Sequence, residues 1–228
     1  MELLQLREKE IFETLKRIRN FRFAVIGGYA VNAYTLPRFS VDCDIVVEDN
    51  AAASKIGKEL VKISYVRATD TDLMQYHEEF LKYEKTIMKN FKVSVDILIK
   101  NVSDRVTRGI FSSEWVFRNS AVRVLKGRTI PEKLRLRIIN PDALVVMKIV
   151  SCRSADIRDV FMLMPQVRDL EWVKKEVAER CEFKSQFSRI KEKIISAQFK
   201  DNLQGIYGRV DNIAFEKHKK KVLEIGNQ

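Results

Sequence analysis

A chain of 228 residues, 46% of them hydrophobic, is long enough to bury a substantial core, and its formal charge of +11 at pH 7 suits an anionic partner. No run of about 18 apolar residues is present to span a membrane, and Met1–Glu10 carries too many charges for a secretory leader; a cytoplasmic location is expected. Cys43, Cys152 and Cys181 are odd in number, far apart and in no Cys-x-x-Cys arrangement, which argues against a disulfide framework and a zinc site.

The amino-terminal residues have the pattern of an amphipathic helix. Next, Phe23-Ala24-Val25-Ile26 reads as a short strand, Gly27-Gly28 as a tight turn, and Tyr29 to Tyr34 as the helix that follows. Backbone N–H groups at such a helix start can face an anion, and glycine permits close approach of phosphate oxygens. A plain strand-to-helix turn needing positive φ is the competing account. A second strand then carries Asp42 and Asp44 on one face, with Val41, Cys43, Ile45 and Val47 on the other. Carboxylates held side by side repel, which raises one pKa unless a cation lies between them. Hard oxygen ligands of this kind suit magnesium or manganese together with substrate phosphates. A polar strand edge would give the same alternation.

Asn50 is expected to cap a helix over Ala51–Lys62, with a short strand around Ile63–Val66. Leu73, Tyr76, Phe80, Tyr83, Ile87 and Phe91 follow a helical period. Val93 to Ile99 is the most apolar strand candidate, and its alternation puts Ser94, Asp96 and Leu98 on one face. A lone charge in such a run costs several kcal/mol unless it is paired, metal-bound or wet. Should this strand lie beside the one carrying Asp42 and Asp44, three carboxylates converge as a two-metal phosphoryl- or nucleotidyl-transfer site requires.

Residues 1–100 are almost neutral, with 16 basic and 15 acidic side chains, whereas residues 101–228 hold 26 basic against 16 acidic. From Arg105 to Arg137 nine basic residues face only Glu114 and Glu132, and Phe111, Trp115 and Phe117 are interleaved as candidate stacking groups. That composition suits RNA. The competing account is ordinary: Lys133, Arg135 and Arg137 alternating with Leu134 and Leu136 describes the wet face of any strand. Strands are expected at Ser120–Leu125 and Lys133–Ile139. One helix is expected from Pro141 through Asp159, with Asp142 complementing its dipole and Lys148, Cys152, Ala155 and Asp159 in a stripe beside Arg153. Here too a solvated face, with an Arg153–Asp156 ion pair, is the alternative. Charged helices follow at Leu170–Cys181, Ser185–Ala197 and Ile213–Ile225.

Taken together, Gly27-Gly28, Asp42-x-Asp44 after thirteen intervening residues, and the later Asp96 resemble the signature of the nucleotidyltransferase superfamily that includes DNA polymerase beta and the CCA-adding enzymes. Gly-Gly-x-Ala-x-x-Ala-Tyr and Arg38-Phe39-Ser40-x-Asp42-x-Asp44-Ile45 are similar to the branch with AbiEii-type abortive-infection toxins, as is Lys148 followed by Arg153 and then Arg158-Asp159. The resemblance covers roughly residues 20 to 165. It implies an α/β (α+β) fold, a nucleotidyltransferase-type mixed sheet flanked by helices, with a catalytic domain over 1–140 and a helical carboxy-terminal region over 141–228. It also implies that Tyr83–Met88 pairs across Lys89-Asn90 with the Asp96 strand, so a short helix followed by a hairpin is expected there.

The implied chemistry is transfer of a nucleoside monophosphate from an NTP such as ATP to an acceptor hydroxyl. Asp42, Asp44 and Asp96 would hold Mg2+ or Mn2+ and, with Lys148, form the catalytic set. Gly27, Gly28, Arg38 and Arg153 would bind the nucleotide. Gly28 departs from the serine common at that place in the superfamily, as in the CCA-adding branch; Arg38 could take over a phosphate contact or brace Asp44. The acceptor implied is an RNA (tRNA) end in a toxin-like role, with an antitoxin or toxin partner. AMP transfer to a protein hydroxyl, and a non-catalytic binding module, are the alternatives.

Overall fold

The structure is a computed structural model that describes residues 2–68, 79–208 and 210–226. The short helix expected after Thr71 lies mainly outside them. The chain forms two compact units, one comprising Met1–Ala33, Phe39–Val102 and Phe111–Ile139, the other Tyr34–Arg38, Ser103–Ile110 and Asn140–Gln228.

The first unit contains α1 (Glu2–Ile18), β1 (Ala24–Val25), α2 (Gly27–Asn32), β2 (Asp42–Val47), α3 (Asn50–Lys62), β3 (Val66–Arg67), β4 (Phe80–Met88) and β5 (Phe91–Ile99). After the short strands β6 (Asn101–Ser103) and β7 (Ile110–Ser112) come α4 (Ser113–Arg118), β8 (Ser120–Lys126) and β9 (Lys133–Ile139). Seven strands form a mixed sheet in the order β3-β4-β5-β2-β1-β9-β8, with β2–β5 and β1–β9 parallel. Cys43, Ile45, Val93, Val95 and Ile97 are buried on one face. Helices α1 and α3 cover that face: Ile11, Phe12, Leu15 and Ile18 form the buried stripe of α1, and Gly57 of α3 lies against the Tyr83 hydroxyl. The acids fall on the opposite face because the pleat alternates.

Three expectations change in detail. The α3 cap is Asp49, whose carboxylate accepts from the Ala52 N–H at 2.7 Å, and Asn50 is already helical. The strand expected at Ile63–Val66 begins only at Val66, because Ser64 takes φ 70° in the turn that ends α3. Phe111 and Phe117 are core residues rather than free stacking groups, each with under a tenth of its surface exposed; Arg22 and Arg137 lie over the Phe117 ring.

The second unit is helical: α5 (Pro141–Ser151), α6 (Ser154–Leu163), a 3-10 turn at Met164–Gln166, α7 (Leu170–Ala178), α8 (Phe183–Ile195), α9 (Ala197–Tyr207) and α10 (Asn212–Glu224). The single helix expected from Pro141 to Asp159 is two. Cys152 adopts the left-handed conformation at φ 46°, and Asp156 accepts from the Arg153 N–H and the Ser151 hydroxyl, so a new helix starts at Ser154. Phe161 packs against Phe199 and Phe215 in this unit's core.

Candidate active site

Three structural choices assemble the acidic face of the first unit. Parallel pairing sets Asp42 opposite Ser94 and Asp44 opposite Asp96, so the Asp44 and Asp96 backbones are about 4.8 Å apart, with Asp42 one same-face step away. The Ser94 hydroxyl donates to Asp42 Oδ1. Asp44 is seated by the glycine turn. Gly27 takes φ +63°, and a Cβ there would lie 2.0 Å from Asp44 Oδ2, so only glycine lets the backbone and this carboxylate meet. Gly28 is the next residue of α2 and is buried.

Gly27→Ala would combine a left-handed alanine, costing about 1–2 kcal/mol, with displacement of the Asp44 carboxylate. The variant is expected to fold with a lower urea midpoint. An unchanged midpoint would show that the turn tolerates a side chain at Gly27.

The third strand of the site, β4, was not foreseen as a contributor. Lys82 pairs in register with Asp96, and Glu84 with Ser94. A bulge between Thr86 and Met88 sets this register; without it, counting back from the Lys89-Asn90 turn would put Tyr83 opposite Asp96. Burial, followed by the negative charges of Asp44 and Asp42 and opposed by Lys82, pushes the Asp96 carboxyl up to about 7. Asp96 Oδ1 is buried and has no hydrogen-bond partner among the described residues.

A carboxyl whose folded-state pKa is raised contributes stability below its unfolded value, near 4, and loses it as pH rises through 7. Asp96→Asn is therefore expected to be more stable than the wild type at pH 8, by about 2–4 kcal/mol, and indistinguishable from it near pH 4. Urea unfolding at the two pH values checks this. An equal gain at both would show that charge is not the cause.

The chemistry of this face fits a divalent cation. Three acidic side chains project to one side, two in adjacent register positions, and one buried oxygen is unused. Such groups bind hard cations through oxygen. They do not form a closed cage as they lie: among the described residues no three acidic, histidine or cysteine side chains enclose an ion site.

The other predicted residues belong to the second unit. Arg38 donates from Nε and Nη2 to the two oxygens of the fully buried Asp159, at 2.9 and 2.6 Å. Lys148 Nζ lies 2.6 Å from Asp156 Oδ1 and 3.1 Å from Asp159 Oδ2. Burial would lower the Lys148 pKa, but the charges of Asp159 and Asp156 outweigh it and hold the ammonium. Arg153 is exposed and pairs with Asp104 at 3.2 Å rather than with Asp156 through its side chain. Asp156 was missed as the partner of Lys148, since a continuous helix would have put it on another face. Asp142 accepts from the Arg168 and Asp169 N–H groups, and Asn140 caps α5.

No family model matches the chain, and no curated protein matches it. Among solved structures it is similar to a candidate nucleotidyltransferase from H. pylori, with a TM-score of 0.51 and 14% identity over 99% of this chain and 92% of that one. It is also similar to ANT(2″)-Ia in complex with adenylyl-2″-tobramycin, with a TM-score of 0.53 and 14% identity over 80% of this chain and 99% of that one. At this identity the likeness is one of fold, and the fold is that of a nucleotidyltransferase.

Proposed function

We propose that this chain is a metal-dependent nucleotidyltransferase that moves a nucleoside monophosphate from an NTP to an acceptor hydroxyl at an RNA end. The observation that carries the reading is the register that puts Asp44 beside Asp96, with Asp42 on the same face and Gly27 shaped around the Asp44 carboxylate. Asp42 and Asp44 would hold magnesium or manganese, with Asp96 completing the set. Bound there, the ions would supply Lewis acidity and charge neutralisation to the triphosphate.

The chain's own residues do the rest. Ser94 orients Asp42 by donating to Oδ1, and Gly27 and Gly28 let the backbone approach the triphosphate. Asp96, whose Oδ1 has no hydrogen-bond partner among the described residues, is placed to take the acceptor hydroxyl's proton. Lys82 beside it tempers the repulsion. Lys148, Arg38 and the exposed Arg153 of the second unit are proposed as phosphate-binding cations, the first two oriented by Asp156 and Asp159.

Preference for RNA rests on the basic second half of the chain; the toxin-like role and a cognate partner rest on the resemblance of the glycine and Arg38–Ile45 strings. The test is incubation with each α-labelled NTP, magnesium and total RNA or cell extract. Label on RNA is expected. Label on protein would select the protein-modifying alternative, and no label on any acceptor would overturn the proposal.

A further inference from the structure

Beyond the acids, the pairing register carries a second set of charges onto the same sheet face. Val25 pairs with Ile45 on one side and Ile138 on the other, so Leu134, Leu136 and Ile138 share the buried face of Ile45. Lys133, Arg135 and Arg137 therefore share the face of Asp44. On β8, Lys126, Val124 and Val122 stand opposite Lys133, Arg135 and Arg137. The two strands carry no acidic residue, and four of their five basic ones, Lys126, Lys133, Arg135 and Arg137, lie on this face; Arg123, opposite Leu136, lies on the other.

Their surroundings divide them. Arg137 is fastened, donating to the Ser120 carbonyl at 3.2 Å and lying over the Phe117 ring. Lys126, Lys133 and Arg135 are exposed and form no ion pair among the described residues. Arg137 is level with Ala24 and Val46, one same-face step from Asp44. Strand spacing puts its backbone roughly 12 Å from that of Asp44, and that of Lys133 roughly 22 Å.

We infer that this β8–β9 face is the track along which the acceptor RNA's phosphate backbone lies on its way to the carboxylates. The inference rests on the transfer reading above and specifies the surface that holds the acceptor. Charge complementarity selects the occupant. A row of cations spaced about 6.7 Å apart along a strand matches a polyanion rather than a single phosphate. Lysines that merely shield a sheet edge from strand addition belong on the edge strand, whereas Lys133, Arg135 and Arg137 lie on β9, an interior strand. Exposed aromatic rings are absent from the described residues of these two strands, so the contact reads backbone and not base sequence.

The test is RNA binding by fluorescence anisotropy, without NTP, over a range of salt, using a labelled single-stranded RNA and a labelled hairpin of unrelated sequence. The variant is K126Q/K133Q/R135Q; the charge-matched control is K191Q/K217Q/K220Q on the second unit. The variant is expected to bind at least about tenfold more weakly, with a salt slope shallower by about 2, as three lost phosphate contacts dictate; the control is expected to bind as wild type. Equal binding by variant and wild type, equal loss in the control, or no binding by wild type would overturn the inference. A binding difference without nucleotide transfer would leave this surface standing and remove the transfer reading. Transfer to RNA with an unchanged RNA KM in the variant would do the reverse. Thermal melts confirm that both triple variants fold.

Discussion

Asp44→Asn is expected to lower the proposed nucleotide transfer by at least about 10³-fold while the protein remains folded. Asparagine keeps the side chain's size over Gly27 but removes a charged oxygen proposed to hold the metal beside Asp96. Loss of one such ligand forfeits several kcal/mol of charge stabilisation in the transition state, at about 1.4 kcal/mol per decade of rate. The same substitution removes a negative charge that raises the Asp96 pKa, so stability at pH 8 should rise rather than fall. Saturating-metal kcat and a thermal melt on the same preparation measure both. Retention of more than a tenth of the wild-type rate would show that Asp44 does not hold the reacting nucleotide's metal.

Arg38→Ala is expected to cost about 3–5 kcal/mol of stability, read as a lowered urea midpoint. Asp159 is fully buried and receives both donors of the Arg38 fork; removing the fork strands a carboxylate that Lys148 shares with Asp156. Burial works against the Arg38 charge, and the Asp159 carboxylate more than offsets it. Arg38→Lys should recover only part of the loss, because an ammonium cannot span both oxygens. A variant as stable as wild type with a raised KM for NTP would mean that the guanidinium serves the nucleotide and not the fold.

The acidic face was legible because strand alternation is a local property: Asp42 and Asp44 two apart, and Asp96 in an apolar run, suffice to put each on its strand's polar side. The β2–β5 neighbourhood required the resemblance, since nothing local pairs strands separated by a helix and a hairpin. Lys82 stayed hidden because a single bulged residue near Ile87 shifts the hairpin by one, and a one-residue shift exchanges faces. The break at Cys152 was equally obscure. Pro141 to Asp159 holds neither an internal proline nor glycine, and it is the capping of Ser154's helix by Asp156 that interrupts it. Basic residues were visible as composition, but their sharing a face with the acids emerges only from the register through Val25.

Counting bound Mn2+ by electron paramagnetic resonance, with a non-hydrolysable NTP analogue present, tests the claim that Asp42, Asp44 and Asp96 form a metal-nucleotide site most directly. Wild-type protein is expected to remove Mn2+ from the free pool in an analogue-dependent way, and the Asp42→Asn/Asp44→Asn double variant to remove almost none. Equal Mn2+ binding by the two proteins would contradict that assignment.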